Sequence, residues 1–296
     1  MRSSKYVPLF VSLAWGMPLT SSTHKGYGSA ANELNGELQQ KWYLGSSGAT
    51  DGVTALGVQK ASTNALQPPN DPSAVYSCIG PNANDFPGRD KWLSFSQLWK
   101  INSPVIEEAN GGDQYSDDLK AAILEVASAS KVDARLILSL IMQEVRSLPS
   151  PADPSADPSQ SSGKLSAPCT ETTACGIMQH RGSAPFSPSN PKASIRSMIE
   201  DGIYGTQSVP GYLSYFNGDA SELSWVNTEM IGGNPYAAAH VYNTGHIESQ
   251  NLSVDGGKSN YYAHDVLSRL QGWNGWAAGC EKSKGCEGLG FEGRKC

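Results

Sequence analysis

The sequence predicts a mainly α-helical fold. Three observations predict it. Helix-opening residues stand before five segments between Ser116 and Leu270, and apolar residues within those segments recur at helical spacing. Strand signals are sparse. The 31 glycines and 18 prolines among 296 residues are more punctuation than a tight domain carries throughout, so part of the length is linker around a helical core.

The elements follow in order. Trp92 and Trp99 announce the start of a packed domain. Ser116 opens a helix with Asp117 and Asp118 in its first turn, where acidic side chains complement the helix dipole. Leu119, Ala122, Ile123, Val126 and Ala127 then repeat along one face. Asp133 caps the next helix, which runs through Arg146. Asn190-Pro191 opens a third, carrying Ile195, Met198 and Ile199. Asn234-Pro235 opens a fourth, closed by Gly245. Ser259 opens a fifth, which runs through Leu270 and stops at Gly272. Residues 147–174 hold seven serines and five prolines and read as one long irregular loop inserted in the domain.

Around this core the chain divides into four parts. Arg2 and Lys5, an apolar stretch from Tyr6 to Leu19 and the small residues Thr20 to Thr23 have the layout of a secretory signal peptide over residues 1–22. A Gly/Ser/Asn/Gln-rich flexible leader follows over 23–74, then the helical domain over 75–279 and a Cys/Gly-rich tail over 280–296. Six cysteines, Cys78, Cys169, Cys175, Cys280, Cys286 and Cys296, are even in number and contain no CxxC pair, which fits disulfides in an extracellular protein. Fifteen connectivities are open. Cys169–Cys175 is the first choice, as a small loop staple. Asn251-Leu252-Ser253 is an N-glycosylation sequon.

Composition excludes some functions. A net charge of −6 argues against nucleic-acid binding, which needs a basic face to displace counterions from phosphates. Past the N-terminus no run of 18 apolar residues exists, so no membrane span is expected. Gly288 to Gly293 match GxGxxG, but only three residues follow and no helix is left to receive a pyrophosphate. Gly257-Lys258-Ser259 resembles the end of a P-loop, yet Leu252 occupies the required first glycine. No GxSxG is present. His180, His240, His246 and His264 show no metal-ligand spacing, and no cofactor or metal is expected.

One residue breaks the helical pattern. With Leu136 set at 0°, a helix places Leu140 at about 40°, Ile137 at about 100° and Ile141 at about 140°. Glu144 falls at about 80°, inside that apolar stripe. Such violations mark functional sites. Partial burial without a cation raises a carboxyl pKa above about 4.3 and keeps it protonated as a general acid. The plain alternative is a helix-end glutamate leaning into solvent and pairing with Arg146 or Arg135.

Two further segments bear on this choice. After the long loop comes Gly176-Ile177-Met178-Gln179, and later Val241-Tyr242-Asn243-Thr244-Gly245. With Ile141-Met142-Gln143-Glu144, these resemble, in order and character, the lysozyme-like transglycosylase (SLT) domains and goose-type lysozymes of glycoside hydrolase family 23. The resemblance covers roughly residues 116–270 and extends to Asp201-Gly202-Ile203-Tyr204-Gly205-Thr206. It departs from the family at Val145, where serine is frequent, and in the 32-residue spacing from Glu144 to Gly176. It implies a lysozyme-like helical domain in which Glu144 is the acid, with Gly176, Ile177, Met178, Gln179, Tyr242 and Asn243 at the sugar site. Core packing remains an alternative for Met178 and Tyr242. A second carboxylate is open among Asp153, Asp157 and Glu171, each equally a solvated loop residue. Otherwise the substrate assists through its 2-acetamido oxygen or 6-hydroxyl. The expected function is a secreted glycosidase or lytic transglycosylase cleaving β-1,4-linked N-acetylated amino-sugar polymers. Peptidoglycan is the polymer of the family and chitin the alternative, which the acidic pI does not disfavour. The competing expectation is a non-catalytic glycan-binding protein on the same fold, with Trp273, Trp276 and the tail as a sugar platform.

Overall fold

The computed structural model describes residues 66–72, 76–77, 79, 81–144, 163–170, 174–207, 209–217, 233–255 and 258–275. The signal region, most of the leader, Arg146, the loop carboxylates Asp153, Asp157 and Glu171, Trp276, the tail and four of the cysteines lie outside them. Seven α-helices are described: α1 Phe95–Asn110, α2 Ser116–Ser130, α3 Ala134–Glu144, α4 Pro191–Tyr204, α5 Tyr212–Asn217, α6 Pro235–Thr244 and α7 Tyr262–Leu270. Two antiparallel pairs of two-residue strands accompany them, β1 Ala174–Cys175 with β2 His180–Arg181, and β3 Val254–Asp255 with β4 Lys258–Ser259. The fold is mainly α.

The centre is α3. Apolar residues cover most of its circumference, so it buries far more than one stripe: Ala134 and all residues from Leu136 to Gln143 are buried, the polar Ser139 and Gln143 among them. Helices α1, α2 and α7 surround it, α4 packs on α2, and α6 lies between α5 and α7. Asp133 starts α3 as the sequence predicts, accepting from the Arg135 backbone N–H at 3.0 Å. Its fully buried carboxylate also takes Arg135 Nη2 at 2.6 Å and Arg89 Nε at 3.4 Å. The Arg135 guanidinium lies over Trp92, 5.0 Å from the ring centroid. Trp92 in turn donates to the Tyr236 hydroxyl at 2.7 Å, tying the start of the domain to α6.

Local chemistry explains where the elements depart from expectation. The sequence reading overlooks α1, although Ser94 and Gln97 form a capping box at its start. The six residues of α5 are too few to show a period. α7 begins at Tyr262, not at Ser259, because Ser259 pairs with Val254 in the β3–β4 hairpin. The Asn260 side chain then accepts from the Tyr262 N–H at 3.0 Å. Only residues 163–170 and 174 of the 147–174 stretch fall among the described residues, and they are anchored at a few positions. Leu165 and Ala167 are buried, and Asn110 clasps the segment through the Gly163 carbonyl at 3.0 Å and the Leu165 N–H at 2.9 Å. The Cys169–Cys175 disulfide is present. The end of the leader also touches the domain: the Leu66 carbonyl accepts from Gln97 at 2.9 Å and the Pro72 carbonyl from the Asn274 N–H at 3.3 Å. Among the described residues no helix is long and apolar enough to cross a membrane.

The Asp133 carboxylate neutralises two arginines in a water-poor place, and its loss strands both. Asp133→Ala is expected to destabilise the fold by about 3 kcal/mol in chemical denaturation. A change below about 1 kcal/mol would show that the cluster is incidental.

Candidate active site

Glu144 is the last residue of α3, and its side chain opens onto a cavity of about 210 Å³. Three other parts of the chain complete the walls. The β1–β2 hairpin supplies Ala174, Gln179, His180 and Arg181; Val209 and Tyr215 come from the region of α5; Tyr242 and Asn243 come from the last turn of α6. Asn234 caps α6 by accepting from the Tyr236 and Ala237 N–H groups, and Gly245 ends it with φ of +84°. That ending leaves Tyr242 and Asn243 at the cavity rim.

The Gly176-Ile177-Met178-Gln179 segment is the turn of this hairpin. Gly176 has φ of +69°, and a Cβ on it would strike Met198 of α4. From the other side, a Cβ on Gly202 would fall 2.6 Å from the Met178 side chain. The two glycines therefore let the turn and α4 meet in direct contact, with Ile177 and Met178 fully buried between them. Gln179 follows in the left-handed region, with φ of +42°, held by its Nε2 donating to the Gly176 carbonyl at 2.8 Å. Strained backbone of this kind persists where the surroundings enforce it, and it clusters at functional sites.

Burial dominates the chemistry of Glu144. It pushes the carboxyl up to about 8, against the opposing pull of a hydrogen bond from Tyr262. The Tyr262 hydroxyl donates to Glu144 Oε1. Oε2 has no hydrogen bond among the described residues. The backbone at this point is pinned to α7, the helix that begins with Tyr262. Gln143 donates to Asp265 at 2.8 Å and accepts from Arg269 Nε at 2.9 Å, and Asp265 also accepts from Tyr76 at 2.8 Å. All three of Gln143, Asp265 and Arg269 are buried.

The other walls are largely uncharged at neutral pH. Burial lowers the pKa of His180, outweighing the opposing hydrogen bond to the Val209 carbonyl at 3.2 Å, so the ring is neutral. Its ring stacks on Tyr242, with centroids 5.7 Å apart. Burial raises Tyr215 to about 12 and holds Tyr242 well above the usual phenol range. The Tyr242 hydroxyl donates to the Met178 carbonyl at 2.8 Å, so this residue offers the cavity its ring rather than its proton.

Glu144, Gln179, Tyr242 and Asn243 thus line one cavity. Gly176, Ile177 and Met178 do not line it; they build the support behind it. For Met178 this is the core-packing alternative that the sequence leaves open. The sequence reading missed Tyr262, His180, Arg181 and Tyr215. His180 and Arg181 directly follow Gln179, and this adjacency was the available signal. Tyr262 lies 118 residues from Glu144, and no sequence spacing announces it. Among the described residues no group of three or more His, Cys, Asp or Glu side chains forms a metal cradle.

The raised pKa carries a stability consequence with a definite sign. The folded protein holds the Glu144 proton more tightly than the unfolded chain. The resulting stabilisation is complete below about pH 4.5 and is lost as pH rises toward about 8. Glu144→Gln removes this dependence. The variant is expected to melt several degrees above the parent at pH 8, corresponding to about 1–3 kcal/mol, and at the same temperature at pH 4. Calorimetry at the two pH values checks this, and a variant that melts below the parent at pH 8 would contradict it. No family model matches the chain, and neither a curated protein nor a solved structure matches it.

Proposed function

We propose that this chain is a secreted glycosidase or lytic transglycosylase with a lysozyme-like helical domain, cleaving β-1,4 bonds in polymers of N-acetylated amino sugars. One observation carries the reading: a carboxyl poised near pH 8 at the end of a buried helix, facing a cavity edged with amides and aromatic rings. Glycoside cleavage needs a proton for the leaving oxygen and stabilisation of an oxocarbenium-like state. Glu144, protonated at neutral pH, delivers that proton from Oε2 as the glycosidic C–O bond breaks. Tyr262 supports the carboxylate that remains. The Gln179 and Asn243 amides hydrogen-bond sugar hydroxyls or an N-acetyl carbonyl.

Among the described residues lining the cavity, Glu144 is the one carboxyl. The loop carboxylates Asp153, Asp157 and Glu171 lie outside the described residues, and the course proposed is assistance by the substrate itself. Its 2-acetamido oxygen or 6-hydroxyl attacks the anomeric carbon, and Glu144 then takes the proton from the 6-hydroxyl or from water. Peptidoglycan is the substrate suggested by the family resemblance, with chitin as the other polymer of the class.

Incubation with peptidoglycan and with chitin oligomers, followed by assay of reducing ends and anhydro-sugars, tests the proposal. Glu144→Gln is expected to lower the rate about 10²- to 10⁴-fold with the fold intact. Tyr262→Phe removes a bond that favours the carboxylate, so the Glu144 pKa rises. Its rate is expected to fall about tenfold while the alkaline limb of the pH profile moves upward. Binding of either polymer without turnover by the parent protein would replace the enzyme with a glycan-binding protein on the same fold.

A further inference from the structure

We propose that Asn251 carries an N-linked glycan, attached as the chain is secreted and before it closes around the sequon; the secretory layout of residues 1–22 underlies this, whereas the glycosidase reading does not.

Asn251-Leu252-Ser253 is the one Asn-X-Ser/Thr sequence in the chain. Its residues meet different environments. Leu252 is fully buried, and its N–H donates to the Pro81 carbonyl at 2.7 Å. The neighbouring Gln250 carbonyl accepts from the Ala83 N–H at 2.8 Å, so the segment is laid against residues 81–83. Asn251 is partly exposed and is not among the residues lining the Glu144 cavity. Its Oδ1 accepts from the Ser253 N–H at 2.8 Å, closing an Asx turn. That bond uses the oxygen of the amide and neither of its hydrogens. The nitrogen can therefore exchange one hydrogen for a sugar while the turn stays intact, and partial exposure gives the sugar a way into solvent.

Ser253 is the opposite case. It is fully buried, and among the described residues its hydroxyl makes no hydrogen bond. Burying a hydroxyl in this way costs stability. The sequon demands a hydroxyl at this position, so the transferase must reach it together with the Asn251 amide. In the folded protein it is out of reach. The Ser253 carbonyl accepts from the Asn260 N–H at 2.7 Å, and Asn260 follows the sequon in the chain, just after the β3–β4 hairpin. A chain secreted N-terminus first thus exposes the sequon before the residues that close it have arrived. In the transfer step Asn251 Nδ2 attacks C1 of an oligosaccharide carried on a lipid pyrophosphate. The Nδ2–C1 bond forms, the C1–O bond breaks with its electron pair leaving on the lipid pyrophosphate, and one amide proton passes to a base of the transferase.

The test begins with the full chain produced through the secretory pathway of a eukaryotic cell. One endoglycosidase-sensitive glycoform is expected, with the sugar located on Asn251 by peptide mass spectrometry and lost in both Asn251→Gln and Ser253→Ala. Absence of the glycan from the parent protein, whether secreted or retained, overturns the proposal, and so does a glycan on Ser253→Ala. The order of events is read on unglycosylated protein folded in a bacterial periplasm, incubated with solubilised transferase and the lipid-linked donor beside its own proteolytic digest. The digest is expected to take up sugar and the folded protein to take up none; equal uptake, or uptake by neither, overturns the order. Ser253→Ala is expected to melt at the temperature of the parent trimmed to its first sugar or up to about 4 °C above it. Melting several degrees below it would give the hydroxyl a structural role and overturn its assignment to the transfer step.

Discussion

The structure depends on holding one carboxyl at the end of a helix that is otherwise buried all round. Every residue of α3 from Leu136 to Gln143 is buried, so that stretch has no solvent-facing side on which to place a charge cheaply. Glu144 is tolerated at its end for two reasons: the chain opens there onto the cavity, and the carboxyl retains its proton to about pH 8. The Tyr262 hydroxyl supplies a partner on one oxygen. The buried Gln143–Asp265–Arg269 network ties the preceding residue to the same helix that carries Tyr262. Acid and supporting hydroxyl are thereby fixed relative to each other by elements far apart in sequence.

The opposite wall is built by close contact rather than by polar bonds. Gly176 and Gly202 remove the side chains that would keep the hairpin away from α4, and Met178 fills the space between them. This sets Gln179 in a strained conformation and directs the next two residues, His180 and Arg181, along the cavity. The motif thus acts mainly through its backbone. Two of its side chains are core, and the chemistry it presents lies at and just beyond its last residue.

Much of this was legible in the sequence because it rests on local rules. Helices α2, α4 and α6 start where Ser116, Pro191 and Pro235 place them, and Gly245 ends α6. Glu144 was conspicuous because a carboxylate in an apolar period is a local contradiction. Pairing across long separations was not legible. Tyr262 reaches Glu144 only after the β3–β4 hairpin sets the start of α7, and that hairpin consists of strands too short to show alternation. The stripe through Leu136, Ile137, Leu140 and Ile141 is only part of the buried surface of α3, because Leu138 and Met142 are buried as well. The resemblance places Tyr242 at the sugar site; the close approach of Met178 gives its hydroxyl a backbone partner.

The central claim is that Glu144 is a neutral acid at physiological pH. Carbon NMR titration of the protein labelled at glutamate side-chain carboxyls, with Glu144→Gln to assign the resonance, measures it directly. The account predicts a midpoint near 8 for Glu144, well separated from the remaining glutamates. A midpoint between about 4 and 5 would mean an ordinary solvated carboxylate and would contradict it.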